Sequence, residues 1–182
     1  MLGKIRVTLK GETPLLMNRL SIEKLSTKSR NIMKEYDVQA DAADSAYMAE
    51  IDGVKQLYVP MECIYSMIIY SAGMHKVKKR SARSFVAGGI RIVPEKIPLG
   101  TDQYEVDLRR VVIQRNSVVR ARAKVPDWRA SFEIIYDQEI LAPEVIYEIL
   151  VDAGRRVGLL DFRPQRSGWF GTFTVEEFEH EE

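Results

Sequence analysis

The residues best suited to chemistry lie in one short segment near the C-terminus. Residues 155–171, RRVGLLDFRPQRSGWFG, carry four arginines and three glycines. Glycines let a backbone approach phosphate oxygens closely, and guanidinium groups bind phosphates through paired hydrogen bonds. Aromatic rings in such a loop stack on unpaired bases. The segment therefore predicts a polyanion site made of Arg155, Arg156, Phe162, Arg163, Arg166, Gly168 and Trp169. For its aromatic residues, packing against the core is the alternative.

A second basic run follows an apolar, helix-like segment. Residues 76–83 contain five cations, which are Lys76, Lys78, Lys79, Arg80 and Arg83. Such a run rarely packs internally, so it predicts a loop or flap that clamps the backbone of a nucleic acid strand. A solvated loop without a ligand is the alternative.

A third basic segment reads as a β-hairpin over residues 105–125, with its turn at Arg115-Asn116. Arg120, Arg122 and Lys124 share parity and therefore project from one face of their strand. Together with Arg110 on the neighbouring strand, they predict a groove for a phosphate backbone. The alternative is an edge hairpin whose charges prevent aggregation. Trp128, just beyond the hairpin, is predicted to anchor the core.

Catalytic and metal-binding chemistry has few candidates in this sequence. Metal-independent RNA cleavage needs proton donors and acceptors beside the scissile phosphate. Of the two histidines, His75 and His180, only His75 lies next to a basic run. Neither acidic residues nor the single cysteine, Cys63, show metal-ligand spacing, so we expect no metal and no cofactor.

Composition and charge fit a globular protein with an uneven surface. The 182 residues are 46% hydrophobic and 29% charged, and no apolar run reaches the roughly 18 residues of a membrane span. We therefore expect a single domain over residues 1–182 and no membrane association. Residues 76–168 carry 18 basic and 12 acidic side chains, whereas residues 169–182 carry 5 acidic and no basic ones. This asymmetry favours a polyanion-facing surface and an acidic, solvated end at residues 176–182.

The elements that must position these residues alternate between strands and helices. Ile5, Val7 and Leu9 alternate with polar residues and predict a first strand. Apolar helices are predicted at residues 61–72 and 143–153, a glycine-interrupted strand within 86–99, and further strands at 129–137 and 171–179. The order predicts an α+β domain with a ferredoxin-like, RRM-like antiparallel sheet and helices on one face. A helical segment at about 20–50 and a basic loop at 74–86 are predicted insertions.

Four stretches resemble a known family. The sequence AGRRVGLLDFRP, followed by SGWFGTFTVEEF, resembles the C-terminal glycine-rich signature of the RAMP superfamily (repeat-associated mysterious proteins). It is most similar to phage- and prophage-encoded relatives of CRISPR backbone subunits. VTLKGETPLLMN, AYMAEIDGVKQLYVPMECIYSMIIYSAG and RIVPEKIPL resemble the first strand, the following helix and the next strand of that family. The resemblance implies an RRM-like core, binding of RNA or single-stranded DNA, and side-by-side assembly.

The leading hypothesis is a non-enzymatic protein that binds single-stranded DNA or RNA and associates with itself along the strand. The sole cysteine favours a reducing compartment, and with the resemblance it predicts the cytoplasm of a bacterial or archaeal host cell. A viral structural or assembly protein, whose basic face binds an acidic protein surface, is the second hypothesis. A metal-independent endoribonuclease that uses His75 is the third.

Overall fold

The protein was analysed as a computed structural model that describes residues 1–21 and 36–181. Much of the insertion predicted at about 20–50 therefore lies outside the described residues. The strands are β1 (Leu2–Gly11), β2 (Leu15–Leu16), β3 (Met48–Ile51), β4 (Val54–Pro60), β5 (Lys76–Val77), β6 (Arg80–Ser81), β7 (Ile90–Val93), β8 (Lys96–Pro98), β9 (Glu105–Ile113), β10 (Asn116–Val125), β11 (Arg129–Asp137) and β12 (Phe173–Glu181). The α-helices are α1 (Val38–Ser45), α2 (Met61–Ala72), α3 (Ala82–Gly89) and α4 (Pro143–Asp152).

The main sheet has the strand order of a ferredoxin-like fold. Its four antiparallel strands are arranged β12-β1-β11-β7. Helix α2 lies between β1 and β7 in the chain, and α4 lies between β11 and β12. Removal of the accessory elements leaves the order β-α-β-β-α-β, which defines this fold. The predicted α+β, ferredoxin-like architecture is confirmed.

The core lies between one face of this sheet and the two helices. Ile5, Val7 and Leu9 are buried, as their alternation predicts, and they form one cluster with Ile64 of α2 and Ile149 of α4. The two helices are also joined by a hydrogen bond from the Ser71 hydroxyl to the Ile149 carbonyl oxygen, 2.7 Å. The core therefore holds α2 firmly against the sheet, with its outer face toward solvent.

Three smaller sheets in the described residues are added to this core. Strands β2, β10 and β9 form one, β3, β4 and β8 form a second, and β5 pairs with β6 in a short hairpin. The turn of the β9–β10 hairpin lies at Gln114-Arg115, one residue before the predicted Arg115-Asn116. Trp128 is buried, so its predicted role as a core anchor is confirmed.

The basic stretch at 74–86, predicted as a loop or flap, contains the short β5–β6 hairpin and the first residues of α3. One local prediction was wrong. The acidic end is not a solvated tail, because residues 176–181 belong to β12 and pair with β1. Its alternation explains why, since Phe178 faces the core side while Glu181 reaches Arg6 on the opposite face, 2.7 Å.

Candidate nucleic-acid interface

The glycine-rich segment folds back on itself between α4 and β12. A π-helical turn, Ala153–Val157, continues α4, and a 3-10 turn, Pro164–Arg166, lies within the segment. A Cβ on Gly168 would lie 1.8 Å from the Phe162 carbonyl oxygen, so the two backbones can approach only because residue 168 lacks a side chain. The Gly168 N–H donates to the Arg163 carbonyl oxygen at 3.0 Å. Gly168 therefore shapes the loop, and its N–H group is already engaged within the chain.

The aromatic residues of the segment divide between core and surface. Phe170 is 1% exposed and belongs to the interior, whereas Trp169 is 55% exposed. The Trp169 ring stacks on Phe170 with centroids 4.6 Å apart and planes inclined by 23°. Phe162 is half-buried, 6.0 Å from the Phe170 ring. Trp169 is thus a solvent-facing ring fixed in orientation by a buried one, which suits stacking on an unpaired base.

Arg163 is a partly buried cation held by neutral groups. Its Nη1 donates to the Leu160 carbonyl oxygen at 2.6 Å and its Nε to Gln165 Oε1 at 2.9 Å. Burial lowers the pKa of the Arg163 guanidinium, and the nearby charge of Arg166 lowers that pKa further. No carboxylate in the described part of the chain forms an ion pair with either arginine. The electrostatic repulsion between them would be relieved by a bound anion.

A pocket of about 260 Å³ separates Arg163 from the first two turns of α2. Cys63 and Met67 line it on the helix side, and Gly158 and Leu160 line it on the loop side. Burial raises the pKa of the Cys63 thiol, with Glu62 as the next contribution. Glu62 and Ser66 also line the pocket, so it combines apolar walls with a carboxylate, a hydroxyl and the Arg163 guanidinium.

The cations of the β9–β10 hairpin are mostly neutralised. Their predicted shared face is observed, but Arg120 lies 3.8 Å from Asp41 and Lys124 lies 3.0 Å from Glu105. Arg122 is only 8% exposed and forms an ion pair and hydrogen bond with Asp161. Arg110 is opposite Val119 in the register, so it lies on the other face of the hairpin, where it bonds the hydroxyl of Ser117. The predicted groove that joins Arg110 to Arg120, Arg122 and Lys124 is therefore not formed, because neighbouring positions on a strand alternate between faces. The face of Arg120, Arg122 and Lys124 is instead a set of intramolecular ion pairs.

The β5–β6 hairpin shows the opposite behaviour. Its cations Lys76, Lys78, Lys79 and Arg80 are exposed, as is Arg83 at the start of α3. Within the described ranges, none of the five forms an ion pair. The hairpin therefore concentrates uncompensated positive charge just beyond the C-terminal end of α2.

The two unpaired basic groups lie at opposite ends of α2. The helix has 12 residues, which corresponds to about 18 Å of length. The π-helical turn packs beside it and presents exposed Arg155 and Arg156, of which Arg156 is 3.7 Å from Asp152. Tyr70, on the outer line of α2, is 46% exposed. We call this helix-side surface the α2 track, defined by the five cations of residues 76–83 together with Tyr70, Arg155, Arg163, Arg166 and Trp169.

His75 lies beside this track but is enclosed. Its side chain is 15% exposed, and its Nε2 lies 2.9 Å from Asp152 Oδ2 without the alignment of a hydrogen bond. No group of His, Cys, Asp or Glu in the described ranges is arranged to hold a metal ion. No helix in those ranges is long and apolar enough to cross a membrane.

The open face of the main sheet is an unsuitable platform for bases. RRM domains stack bases on aromatic side chains of that face. Here β1 contributes Lys4, Arg6 and Thr8 to it, and these face Glu133 of β11 and the glutamates of β12. Lys4 and Arg6 are ion-paired with Glu133, and Thr8 donates to Glu177 at 2.8 Å. This polar network leaves the helix side as the better candidate for a nucleic-acid surface.

Sequence reasoning missed Arg109, Tyr70 and the carboxylates that neutralise the hairpin. The Arg109 guanidinium carbon lies 5.1 Å from the centroid of Phe170, and its Nε bonds Asp107. Arg109 opposes Arg120 across the hairpin, so the parity argument could have included it. Asp161, an acid inside an otherwise basic segment, was the available signal for the ion pair with Arg122.

Comparisons with known proteins support the fold. The sequence matches no protein-family model and no curated protein. A chain of the type III-B Cmr-beta complex, determined by cryo-electron microscopy with cognate target RNA bound, matches the structure with a TM-score of 0.60 and 13% identity. The match covers 98% of this chain and 60% of the Cmr-beta chain, so the protein spans about 60% of the length of that relative. The similarity supports the ferredoxin-like α+β fold, whereas the resemblance to the RAMP superfamily and the predicted closeness to phage and prophage proteins stay predictions.

Proposed function

We propose that this protein is a non-enzymatic nucleic-acid-binding protein that prefers single-stranded RNA or DNA and binds it along the α2 track. The phosphates would contact the cations of residues 76–83, Arg155, Arg163 and Arg166, and a base would stack on Trp169. Assembly of several copies along one strand, in a host cytoplasm, is part of the same proposal.

The concentration of unpaired cations at the two ends of α2 is the observation that carries this proposal. Cations on the open sheet face and on β9–β10 are mostly neutralised by carboxylates, such as Arg6 by Glu181 and Lys124 by Glu105. Cations at both ends of α2 have no such partners in the described ranges. Binding a polyanion to unpaired cations releases counterions without first breaking internal ion pairs. Arg122 and Lys124 therefore contribute less to the proposed surface than their sequence positions predict.

The preference for single strands follows from Trp169. Its ring is exposed and already oriented by Phe170, so a base can stack on it with little loss of side-chain entropy. Bases in a duplex have no free face in the middle of a strand, whereas unpaired bases do. The fold match adds support, since the Cmr-beta structure contains bound target RNA.

A binding function fits better than RNA cleavage. A general acid or base must reach the scissile phosphate. His75 is largely enclosed against Asp152, and His180 lies on β12 with its Nε2 2.7 Å from the Tyr136 hydroxyl. Incubation of labelled RNA with the wild type and with His75→Ala tests this point. Cleavage by the wild type that His75→Ala abolishes would refute the non-enzymatic proposal.

A matched pair of charge reversals tests the binding surface. The first variant combines Arg163→Glu with Arg166→Glu, and the control combines Lys10→Glu with Lys55→Glu at exposed positions outside the track. Both have the same net charge, and because Arg163 is partly buried, circular dichroism must show that both variants fold. We expect the first to lose at least tenfold in affinity for a fluorescent single strand at low salt, and the control to stay near wild type. Equal losses would refute the placement of the surface.

The type of polyanion is resolved in the same assay. Fluorescence anisotropy with single- and double-stranded RNA and DNA, at two salt concentrations, should show single strands bound most tightly and a steep loss with salt. Polyglutamate of equal charge serves as the competitor. If it displaces the strand as well as unlabelled nucleic acid does, an acidic protein surface, as in a viral assembly protein, becomes the better interpretation.

A further inference from the structure

Three two-residue hairpin turns in this chain share one backbone shape but differ in sequence. Asp52-Gly53, Lys78-Lys79 and Gln114-Arg115 each have positive φ at both residues, with Lys78 at 49° and Lys79 at 66°. This type I′ shape strongly favours Asn-Gly or Asp-Gly, because a residue with a Cβ is disfavoured in the left-handed region. The β3–β4 hairpin follows the rule, whereas the β9–β10 hairpin has Gln114-Arg115 and the β5–β6 hairpin has two lysines at these positions. Turn formation therefore does not explain the choice of Lys78-Lys79.

The β5–β6 hairpin covers a pocket of about 380 Å³ on the side of α4. Its apolar wall is formed by Val77 of the hairpin and by Ile140, Leu141 and Val145 beneath it. Lys76 and Lys78 stand at the rim, and neither has an ion-pair partner within the described ranges. An apolar cavity of this size with a few polar groups at its edge is typical of a small-ligand site.

The polar edge of the pocket indicates which ligand fits. Gln138 contributes an exposed side-chain amide, which can both donate to and accept from the edge of a base. Glu139 also lines the pocket and is exposed to solvent. A ligand that suits this lining combines an apolar body with hydrogen-bonding groups at one edge and an anionic group near Lys76 and Lys78.

We propose that this pocket binds one unpaired nucleobase, while Lys78 and Lys79 hold the phosphates beside it. The proposal rests on the proposed function, and it adds a second base site at the other end of α2 from Trp169. A lysine pair is useful at the turn because the hairpin lines one side of the pocket, so its charges lie close to a bound base. An aliphatic lipid or peptide side chain would have no need of the rim cations.

The test fills the pocket from its edge. Ala142 lines the pocket and is exposed, so Ala142→Trp places a ring there without entering the core. Ala40→Trp, at an exposed position on α1, is the control for an added tryptophan. The probes are a fluorescent oligothymidylate and an abasic strand of equal length, which keeps the phosphates but has no bases. Circular dichroism and the unfolding temperature verify that both variants fold.

We expect Ala142→Trp to bind oligothymidylate about tenfold more weakly than the wild type, the effect of losing one stacked base. Both proteins should bind the abasic strand equally, and Ala40→Trp should match the wild type on both. An unchanged affinity for oligothymidylate, or an equal loss on both strands, overturns the base pocket. A wild type that binds neither strand overturns the proposed function itself, so the two failures are distinguishable.

Photo-crosslinking gives an independent measurement that uses only the wild-type protein, so it does not depend on whether a variant folds. A 4-thiothymidine strand irradiated on the wild type should crosslink to residues 138–145 or 76–78, identified by mass spectrometry. Crosslinks confined to the neighbourhood of Trp169 would overturn the second base site while leaving the α2 track in place.

Discussion

The lysine turn of the β5–β6 hairpin makes an unusual prediction, because one substitution should raise stability and lower affinity together. Lys79 has φ 66°, a conformation that costs a residue with a Cβ about 1 kcal/mol and costs glycine nothing. Glycine also has more conformational entropy than lysine in the unfolded chain, which offsets about half of this stabilisation. Lys79→Gly should therefore stabilise the fold by about 0.5 kcal/mol, which raises the unfolding temperature by about 1–2 °C for a chain of this size.

The same substitution removes one proposed phosphate contact. Each contact to a single strand contributes about 0.7 to the slope of log affinity against log salt, so the slope should become shallower by that amount. At low salt the affinity should fall about fivefold, corresponding to about 1 kcal/mol for one charged contact. Anisotropy titrations at several salt concentrations measure both quantities, and differential scanning calorimetry measures the stability.

Lys79→Ala separates charge from backbone conformation. It removes the same ammonium group but keeps a Cβ at the left-handed position, so it should reproduce the loss of affinity without the gain in stability. Arg115→Gly, in the equivalent turn of the β9–β10 hairpin, should give the gain in stability while leaving affinity almost unchanged. If Lys79→Gly binds like the wild type, or if it unfolds at a lower temperature, the reasoning about this turn is wrong.

Two further outcomes follow from the other contacts. Trp169→Ala should lower the affinity for single strands about tenfold without altering the salt slope, because stacking releases no counterions; a changed slope in the same anisotropy titrations would contradict this role. Arg122→Ala should destabilise the fold by about 2 kcal/mol in denaturant titrations, less than a fully buried pair because Asp161 remains partly exposed; a stability equal to that of wild type would contradict a structural role.

Helices and strands were predictable where one hydrophobic pattern, either the alternation of a strand or the apolar face of a helix, determines the element. The alternation of Ile5, Val7 and Leu9 and the apolar face of α2 require only that one side be buried, and both are observed. The prediction of a solvated tail at residues 176–182 failed because it relied on the number of acidic residues and ignored their alternation. Phe178 packs on the core side, while Glu179 and Glu181 lie across from Arg6 and Lys4.

The sequence predicted which residues make up the candidate site, but not which of its cations form ion pairs with carboxylates. Whether Arg122 is available depends on Asp161, which lies 39 residues away in the sequence, and Arg120 likewise depends on Asp41. Such pairings arise from tertiary packing, which a local pattern of charges does not encode. The turn at Lys78-Lys79 could not be predicted from the sequence either. Only the backbone geometry shows that these two lysines occupy positions where glycine is favoured.

The distribution of carboxylates strengthens the case for the α2 track. A nearly neutral chain with a net charge of +1 has enough acidic residues to neutralise nearly all of its cations. Arg122, which is buried, is neutralised in this way by Asp161. Burial lowers the pKa of the Arg163 guanidinium most, and the charge of Arg166 lowers it further, whereas Asp161 raises it. Neither Arg163 nor Arg166 forms an ion pair within the described ranges, so both guanidinium groups can meet a polyanion without first breaking an internal ion pair, as the proposed function requires.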